Sequence, residues 1–276
     1  MNENIKNFIY GGSAGIISRT LTSPFERLKI LRQIYPNEYK KFNLLQSLNY
    51  IRYNEGFKGF FKGNYTNCLR IFPQQAVTFS TFSYINNKIS NNLEKKLSYF
   101  ISGGISGIIS YLAIYPLETI RSKLSVQTFD IKYNGVVDCF TKSLNKNGLS
   151  SLYRGSLLAS IGMIPFQGTN FLVYNYLKDN YENSSLNTLL FGSLSGICSV
   201  SVSYPFDIIK RKLQLSGENG NPKYKGILDC CKYTFNKQGI KGFYRGLIPC
   251  YTKIIPANAI FFLIIEILNN KISILN

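Results

Sequence analysis

The feature that most constrains this chain is a threefold internal repeat, marked by three prolines with similar neighbours: Ser23-Pro24-Phe25-Glu26, Tyr115-Pro116-Leu117-Glu118 and Tyr204-Pro205-Phe206-Asp207. The prolines lie 92 and 89 residues apart, and a glycine that starts a G-x-x-x-G pattern precedes each one by thirteen residues. Later in every repeat come a single glycine, an aromatic-basic-glycine triplet and a second proline, in register apart from a two-residue insertion in the third repeat. This agreement predicts three copies of one structural unit, at 1–92, 93–184 and 185–276.

Each unit contains uncharged stretches separated by a basic segment. Four of these stretches approach or exceed the ~20 residues that cross a bilayer core, and two shorter ones complete the set: Ile71–Asn87, Leu97–Leu117, Gly155–Leu177, Asn183–Phe206, Asn7–Ser18 and Ile254–Ile265. Proline kinks a helix, and G-x-x-x-G lets two membrane helices approach closely. The pattern predicts an all-α membrane protein, in which six tilted transmembrane helices form one bundle and short amphipathic helices lie on one side.

The charge distribution predicts the topology. The chain carries 32 Lys and Arg against 14 Asp and Glu, a net charge of +18, and its three long segments inside the repeats hold 8, 6 and 9 of the basic residues. By the positive-inside rule these segments face one compartment, and both termini face the other. A basic nucleic-acid-binding protein is the alternative from another class, but there the cations cluster on one surface among aromatic residues. Here uncharged spans separate them, so no nucleic-acid partner is expected.

Several kinds of chemistry are excluded by composition. The chain has no histidine, its six cysteines form no C-x-x-C pair, and it has no P-loop and no EF-hand loop. We therefore expect that the protein is not an enzyme and that it binds no metal and no cofactor. A bound nucleotide would be a transported substrate rather than an energy source. The repeat begins by Gly11, so no cleavable presequence is expected either.

The motif after each first proline carries a family resemblance. Proline, acid and base recur with one spacing as Pro24/Glu26/Lys29, Pro116/Glu118/Arg121 and Pro205/Asp207/Lys210. With the glycines and triplets above, the chain resembles the mitochondrial carrier family over nearly its whole length. That resemblance implies a monomeric threefold bundle around one substrate site, open alternately to either side. It also implies the mitochondrial inner membrane, or that of a mitochondrion-derived organelle, with the basic segments in the matrix.

The acid and the base of each motif lie on one helix face, because they are three residues apart. Three such faces around an axis can pair in a ring as Glu26–Arg121, Glu118–Lys210 and Asp207–Lys29. The resemblance assigns this ring as the matrix gate, with Gln33 and Gln214 bracing it. The opposite gate is weaker by sequence, since only Lys178 and Glu266 remain as a charged pair there.

Positions where the repeats disagree indicate where an asymmetric substrate binds. Such positions include Arg70, Gly162 and Lys253, three residues before the second prolines, and Arg19 before the first. Unpaired cations at mid-membrane depth are costly and are functional by default, so Arg19, Arg70 and Lys253 predict a polyanionic substrate. Gly162 and Met163 predict a slot for a flat ring, with Phe166 as a stacking partner.

The same residues resemble one subgroup of the family. Ser18-Arg19-Thr20 and Lys253-Ile254-Ile255-Pro256 are similar to the ATP-magnesium/phosphate and coenzyme A carriers, and the sequence from Arg70 to Ala76 is similar to the ADP/ATP carrier. This implies exchange of ATP, ADP or AMP, with or without phosphate. A carrier of coenzyme A or a related adenine cofactor is the alternative, and a fatty-acid-dependent proton leak is a third reading. An anionic lipid is expected at the ends of the basic segments, where backbone amides and cations lie near the headgroups: Tyr133-Asn134-Gly135 and Tyr224-Lys225-Gly226, with the aromatic-basic-glycine triplets. The resemblance implies that this lipid is cardiolipin.

Overall fold

The computed structural model describes residues 3–39, 41–89, 95–128, 131–182, 184–218 and 221–273, which contain helices and no strand. The helices follow one another as α1 Glu3–Leu21, α2 Ser23–Ile34, α3 Pro36–Tyr39, α4 Leu44–Glu55, α5 Asn64–Leu69, α6 Ile71–Ile89, α7 Lys95–Ser125, α8 Val136–Asn147, α9 Ser156–Asn180, α10 Ser185–Gln214, α11 Ile227–Gln238 and α12 Leu247–Ser273. Short 3-10 helices cover Phe57–Phe61, Leu149–Tyr153 and Ile240–Tyr244. The prediction of an all-α fold is confirmed.

The first proline of each unit is accommodated in two ways. In the second and third units, α7 and α10 continue through Pro116 and Pro205 as single helices. In the first unit the helix is divided into α1 and α2 at Thr22, two residues before Pro24. The backbone N–H and the side-chain hydroxyl of Thr22 both donate to the Ser18 carbonyl, at 3.0 and 2.8 Å, so the chain direction is kept across the break.

The long helices pack in a closed cycle. Extensive contacts join α6 to α7, α9 to α10, and α1 to α12, so each unit touches the next one and the last unit touches the first. Close packing of α7 is made possible by small residues, since its serines at every fourth position are buried: Ser98, Ser102, Ser106 and Ser110. The three repeats therefore form one bundle.

Two helical stretches of the described residues, Leu149–Asn180 and Asn187–Gln214, are long and apolar enough to cross a membrane by length and composition. On α9 the outward side is strongly apolar, with Ile164 and Phe171 at 70% and 73% exposure. Such an exposed apolar face is typical of contact with lipid or with another apolar surface.

The three amphipathic helices each pack against a helix of their own unit: α4 against α2, α8 against α7 and α11 against α10. In the second unit Cys139 is fully buried against Ile120, Leu124 and Leu152, and Cys230 has the matching place in the third. Burial raises the pKa of the Cys139 thiol to about 11 and that of Cys230 to about 12. Both cysteines are thus packing residues with little thiolate.

The glycine that ends each aromatic-basic-glycine triplet touches the following unit. Gly63, Gly155 and Gly246 have φ angles of +83°, +84° and +83°. A Cβ atom on them would meet the backbone carbonyl of a motif base in the next unit, at 3.0 Å from Arg121 O, 3.1 Å from Lys210 O and 2.9 Å from Lys29 O. Only glycine fits such a close approach at positive φ, so the triplet sets the distance between units.

Candidate functional site

The charged motif residues meet where α2, α7 and α10 converge just beyond the prolines. Arg121 Nη2 lies 2.7 Å from Glu26 Oε1, and Lys29 Nζ lies 3.2 Å from Asp207 Oδ2. These are two of the three ion pairs that the repeat predicts. Each pair joins two different units, so the ring ties the helix ends together on the side of the basic segments.

The third expected pair, Glu118–Lys210, is not formed, and this prediction is wrong. Arg211 instead lies 3.3 Å from Glu118 and also donates to Ser122 Oγ and Gln214 Oε1. The planar guanidinium can bond several acceptors at once, which a single ammonium cannot match in this position. The Lys210 ammonium instead lies 3.5 Å from Asp207, on the same helix, and donates to the Tyr111 hydroxyl of α7 at 3.3 Å.

Arg211 is thus a residue that sequence reasoning missed. The available signal was the basic run Lys210-Arg211-Lys212, in which register alone cannot decide which cation reaches across. Arg211 is 4% exposed, so its charge is committed to the ring region.

The two glutamines contact the ring at different points. Gln33 donates to the Tyr204 hydroxyl at 3.2 Å, and the Tyr204 ring lies under the Lys29 ammonium, 5.3 Å from it. Gln214 accepts from Ser122 Oγ at 2.9 Å and from Arg211. Gln33 thus contacts the tyrosine that lies against Lys29, and Gln214 contacts Arg211 itself. The role of both glutamines as braces of the ring stays a prediction.

The substrate cations were expected to be unpaired, and for two of them this is wrong. Arg70 Nη1 lies 2.6 Å from Glu118 Oε2, and Lys253 Nζ is bonded to Glu26 Oε2. Among the described residues, the one hydrogen bond of the Arg19 side chain is a long one of 3.4 Å to the Asn67 carbonyl. Charges in a poorly solvated interior seek partners, and the ring carboxylates still have free lone pairs for them. Arg70 and Lys253 therefore form one network with the ring, and their role in substrate binding stays a prediction.

A cavity of about 250 Å³ lies between α7, α9 and α10, and its use as a slot for a flat ring stays a prediction. Gly162, Met163 and Phe166 line one wall. A Cβ at Gly162 would lie 2.8 Å from Phe206 Cβ, so glycine is what allows α9 and α10 to come this close. Tyr111 lines the cavity as well, together with Phe206, Asp207 and Lys210.

The structure describes the expected opposite gate, Lys178 and Glu266, only in part. Lys178 is exposed near the end of α9. The side chain of Glu266 lies outside the described part of the structure, so a Lys178–Glu266 pair stays a prediction. On the same side of the bundle, Asn86 accepts a hydrogen bond of 2.9 Å from Ser98.

Comparison with known proteins agrees with this architecture. The family model described as "Mitochondrial carrier protein" matches residues 2–93, 94–185 and 181–274. The chain belongs to the mitochondrial carrier family. Each match contains one of the three proline-acid-base motifs, so the ring residues of this carrier come one set from each family unit.

Several curated relatives of this carrier have names that state a substrate class. It is 32% identical to the mitochondrial adenine nucleotide transporter ADNT1 of Arabidopsis thaliana, over 98% of this chain and 87% of that protein. It is 30% identical to the adenine nucleotide transporter BT1, chloroplastic/mitochondrial, of the same plant, over 96% of this chain and 69% of that protein. The mitochondrial adenyl nucleotide antiporter SLC25A24 of Homo sapiens is 31% identical over 95% of this chain, which spans 57% of the human protein.

Proposed function

We propose that this carrier is a multi-pass protein of the inner membrane of mitochondria, or of a mitochondrion-derived organelle, and exchanges adenine nucleotides by alternating access. The observation that carries the proposal is the double use of two cations. Arg70 and Lys253, to which we assign the binding of a substrate anion, are each bonded to a carboxylate of the ring. Relatives named as adenine nucleotide transporters support the choice of substrate.

The site divides between the two halves of a nucleotide. A cavity of about 250 Å³ is smaller than the roughly 300–1,000 Å³ of pockets that enclose a whole drug-sized ligand. It suits one flat bicyclic ring, with Phe166 as the expected stacking partner. The phosphates would then bind Arg19, Arg70 and Lys253. Arg70 Nε is buried and has no hydrogen-bond partner among the described residues, so this guanidinium keeps a donor for an incoming oxygen.

Sharing of the cations links binding to the gate. When phosphate oxygens bind Arg70 and Lys253, Glu118 and Glu26 each lose one of the cations that hold them. If each lost pair favours the open gate by ~1 kcal/mol, two pairs shift the ratio of open to closed states by roughly thirtyfold. Substrate binding therefore promotes opening of the ring toward the matrix, and the same cations close it again after release.

The test is exchange of labelled ADP for internal ATP in proteoliposomes. The unmodified carrier is expected to exchange the two, and Arg70→Ala is expected to reduce exchange at least about tenfold, the effect of losing ~1.4 kcal/mol of binding. Arg52→Ala, at an exposed arginine of α4, is the matched control and should exchange normally. Normal exchange by Arg70→Ala would overturn the site. Absence of ADP exchange, with uptake of coenzyme A, would replace the nucleotide by the alternative substrate.

We further propose that the carrier acts as a monomer with cardiolipin at the starts of α8 and α11. Part of the expected anion site is already occupied, since the Asn134 and Lys225 amides donate to Asp138 and Asp229 at 2.8 and 2.9 Å. A headgroup therefore binds through the remaining amides of the first turn and nearby lysines. Equal thermal stability of the purified carrier with and without cardiolipin would count against this site.

A further inference from the structure

Lys210 lines the cavity instead of pairing with Glu118 as expected, and Asp207 lines the cavity while it keeps its ring pair with Lys29. Arg211 takes the ring position opposite Glu118, so the Lys210 ammonium stays beside Asp207 Oδ1 and the Tyr111 hydroxyl. Both Lys210 and Asp207 line the cavity next to Gly162 and Phe206. The displacement thus leaves a charged pair at the edge of an apolar slot.

The carboxylate of Asp207 has capacity for a further partner. Oδ2 accepts from Lys29 at 3.2 Å and Oδ1 lies 3.5 Å from Lys210, yet the side chain is 40% exposed. The side chains of Glu26 and Glu118, the other two ring acids, are 14% and 5% exposed. An ionised carboxylate has about four acceptor positions, so Asp207 can accept another hydrogen bond from a ligand in the cavity.

Charge balance indicates which part of a ligand belongs here. Asp207 contacts both Lys210 and Lys29, and its exposed carboxylate repels phosphate oxygens, so this place suits an uncharged part of the ligand that can donate a hydrogen bond. The Lys210–Asp207 pair presents one donor and one acceptor side by side at the rim of a slot lined by Phe166 and Phe206. An aromatic ring with an adjacent acceptor and donor on its edge is the matching chemistry.

We propose that Lys210 and Asp207 recognise the hydrogen-bonding edge of the nucleobase and make this carrier selective for adenine over 6-oxopurines. The inference rests on the nucleotide exchange proposed above. Adenine presents the N7 acceptor beside the N6 amino donor, whereas an oxopurine presents two acceptors, N7 and O6, on the same edge. Lys210 donates to N7 and Asp207 accepts from the amino group. With an oxopurine, O6 faces the Asp207 carboxylate, and both oxygens repel each other.

The experiment measures competition between ADP and inosine diphosphate in proteoliposomes. The unmodified carrier is expected to prefer ADP by at least about tenfold, since a buried polar group left unpaired costs more than one tenfold step. Asp207→Asn should bring the ratio close to one, because an amide can donate to O6. Glu26→Gln is the matched control: it removes the charge of another ring acid that does not line the slot, so exchange slows and the ratio stays high.

The outcomes separate this inference from the proposed function. An unmodified carrier that exchanges no nucleotide overturns the function itself. If the carrier exchanges nucleotides and the preference for ADP is as high in Asp207→Asn as in Glu26→Gln, only the role of the Lys210–Asp207 pair is overturned. Where Asp207→Asn is too slow for transport assays, the thermal stabilisation of this variant and of Lys210→Met by ADP and by inosine diphosphate gives the same ratio at equilibrium. A preserved preference in both variants rejects the proposal.

Discussion

Replacement of Gly246 by alanine tests the contact between the third unit and the first. Gly246 has a φ of +83°, and a Cβ there would lie 2.9 Å from the Lys29 carbonyl and 3.1 Å from the Tyr204 hydroxyl. The first atom belongs to the backbone and cannot rotate away. The left-handed conformation costs an alanine about 1–2 kcal/mol, and overpacking against a fixed neighbour adds about 1–3 kcal/mol.

Gly217→Ala is the matched control, because it separates these two costs. Gly217 has a φ of +74°, but a Cβ there would meet Lys223 at an ordinary 3.8 Å. The control therefore loses only the conformational part, and the difference of about 1–3 kcal/mol between the variants measures the contact between units. In thermal unfolding of the purified carrier, Gly246→Ala should melt several degrees below Gly217→Ala.

The same substitution should also loosen the ring, since Lys29 belongs to it. In a background without native cysteines, Gln167→Cys places a thiol at the cavity wall. Labelling of this thiol by an impermeant maleimide from the matrix side should increase when Gly246→Ala is added, and should not change with Gly217→Ala. Equal melting temperatures and equal labelling of the two variants would refute the role given to the triplet glycine.

Three further predictions follow from the ion pairs. Arg211→Gln should increase matrix-side labelling of the cavity, because Glu118 loses its partner from the third unit, and unchanged labelling would return the gate role to Lys210. Asn86 and Asn175 lie near the ends of α6 and α9, on the side of the expected opposite gate. A charge pair introduced there by Asn86→Lys with Asn175→Asp should also raise the matrix-open population in the same labelling assay; no change would show that the number of ion pairs in each gate does not set the resting state. Burial raises the pKa of Glu218, but the Lys132 hydrogen bond and the Lys123 charge outweigh it and hold that pKa below its usual value. Glu218→Gln should therefore lower the melting temperature at pH 7, and the difference should shrink only below about pH 4.5, where the carboxylate becomes protonated in the unfolded chain; a difference that persists in acid would exclude an ionic origin.

Much of the fold could be read from periodicity. Three prolines in register with their glycines predict three equal units, and acid and base three residues apart must lie on one helix face whatever the rest of the chain does. The pairs Glu26–Arg121 and Lys29–Asp207 follow from that spacing and from cyclic order. The sequence singled out Gly162 as a position where the repeats differ, but only the structure shows that Phe206 packs against it and that the cavity lies beside this contact.

Only the tertiary structure decided which cation meets which carboxylate. Sequence spacing places a residue on a helix face, but it does not show which of two neighbouring long side chains, Lys210 or Arg211, reaches Glu118. It also cannot show that Arg70 and Lys253, far from the motifs along the chain, reach Glu118 and Glu26. Ion pairing acts over a few ångströms, and distances of that size between helices arise from packing, such as the contact of Gly246 with the Lys29 carbonyl. The sequence by itself therefore determined the units and the charged faces, whereas packing determined which ion pairs join Arg70 and Lys253 to the ring.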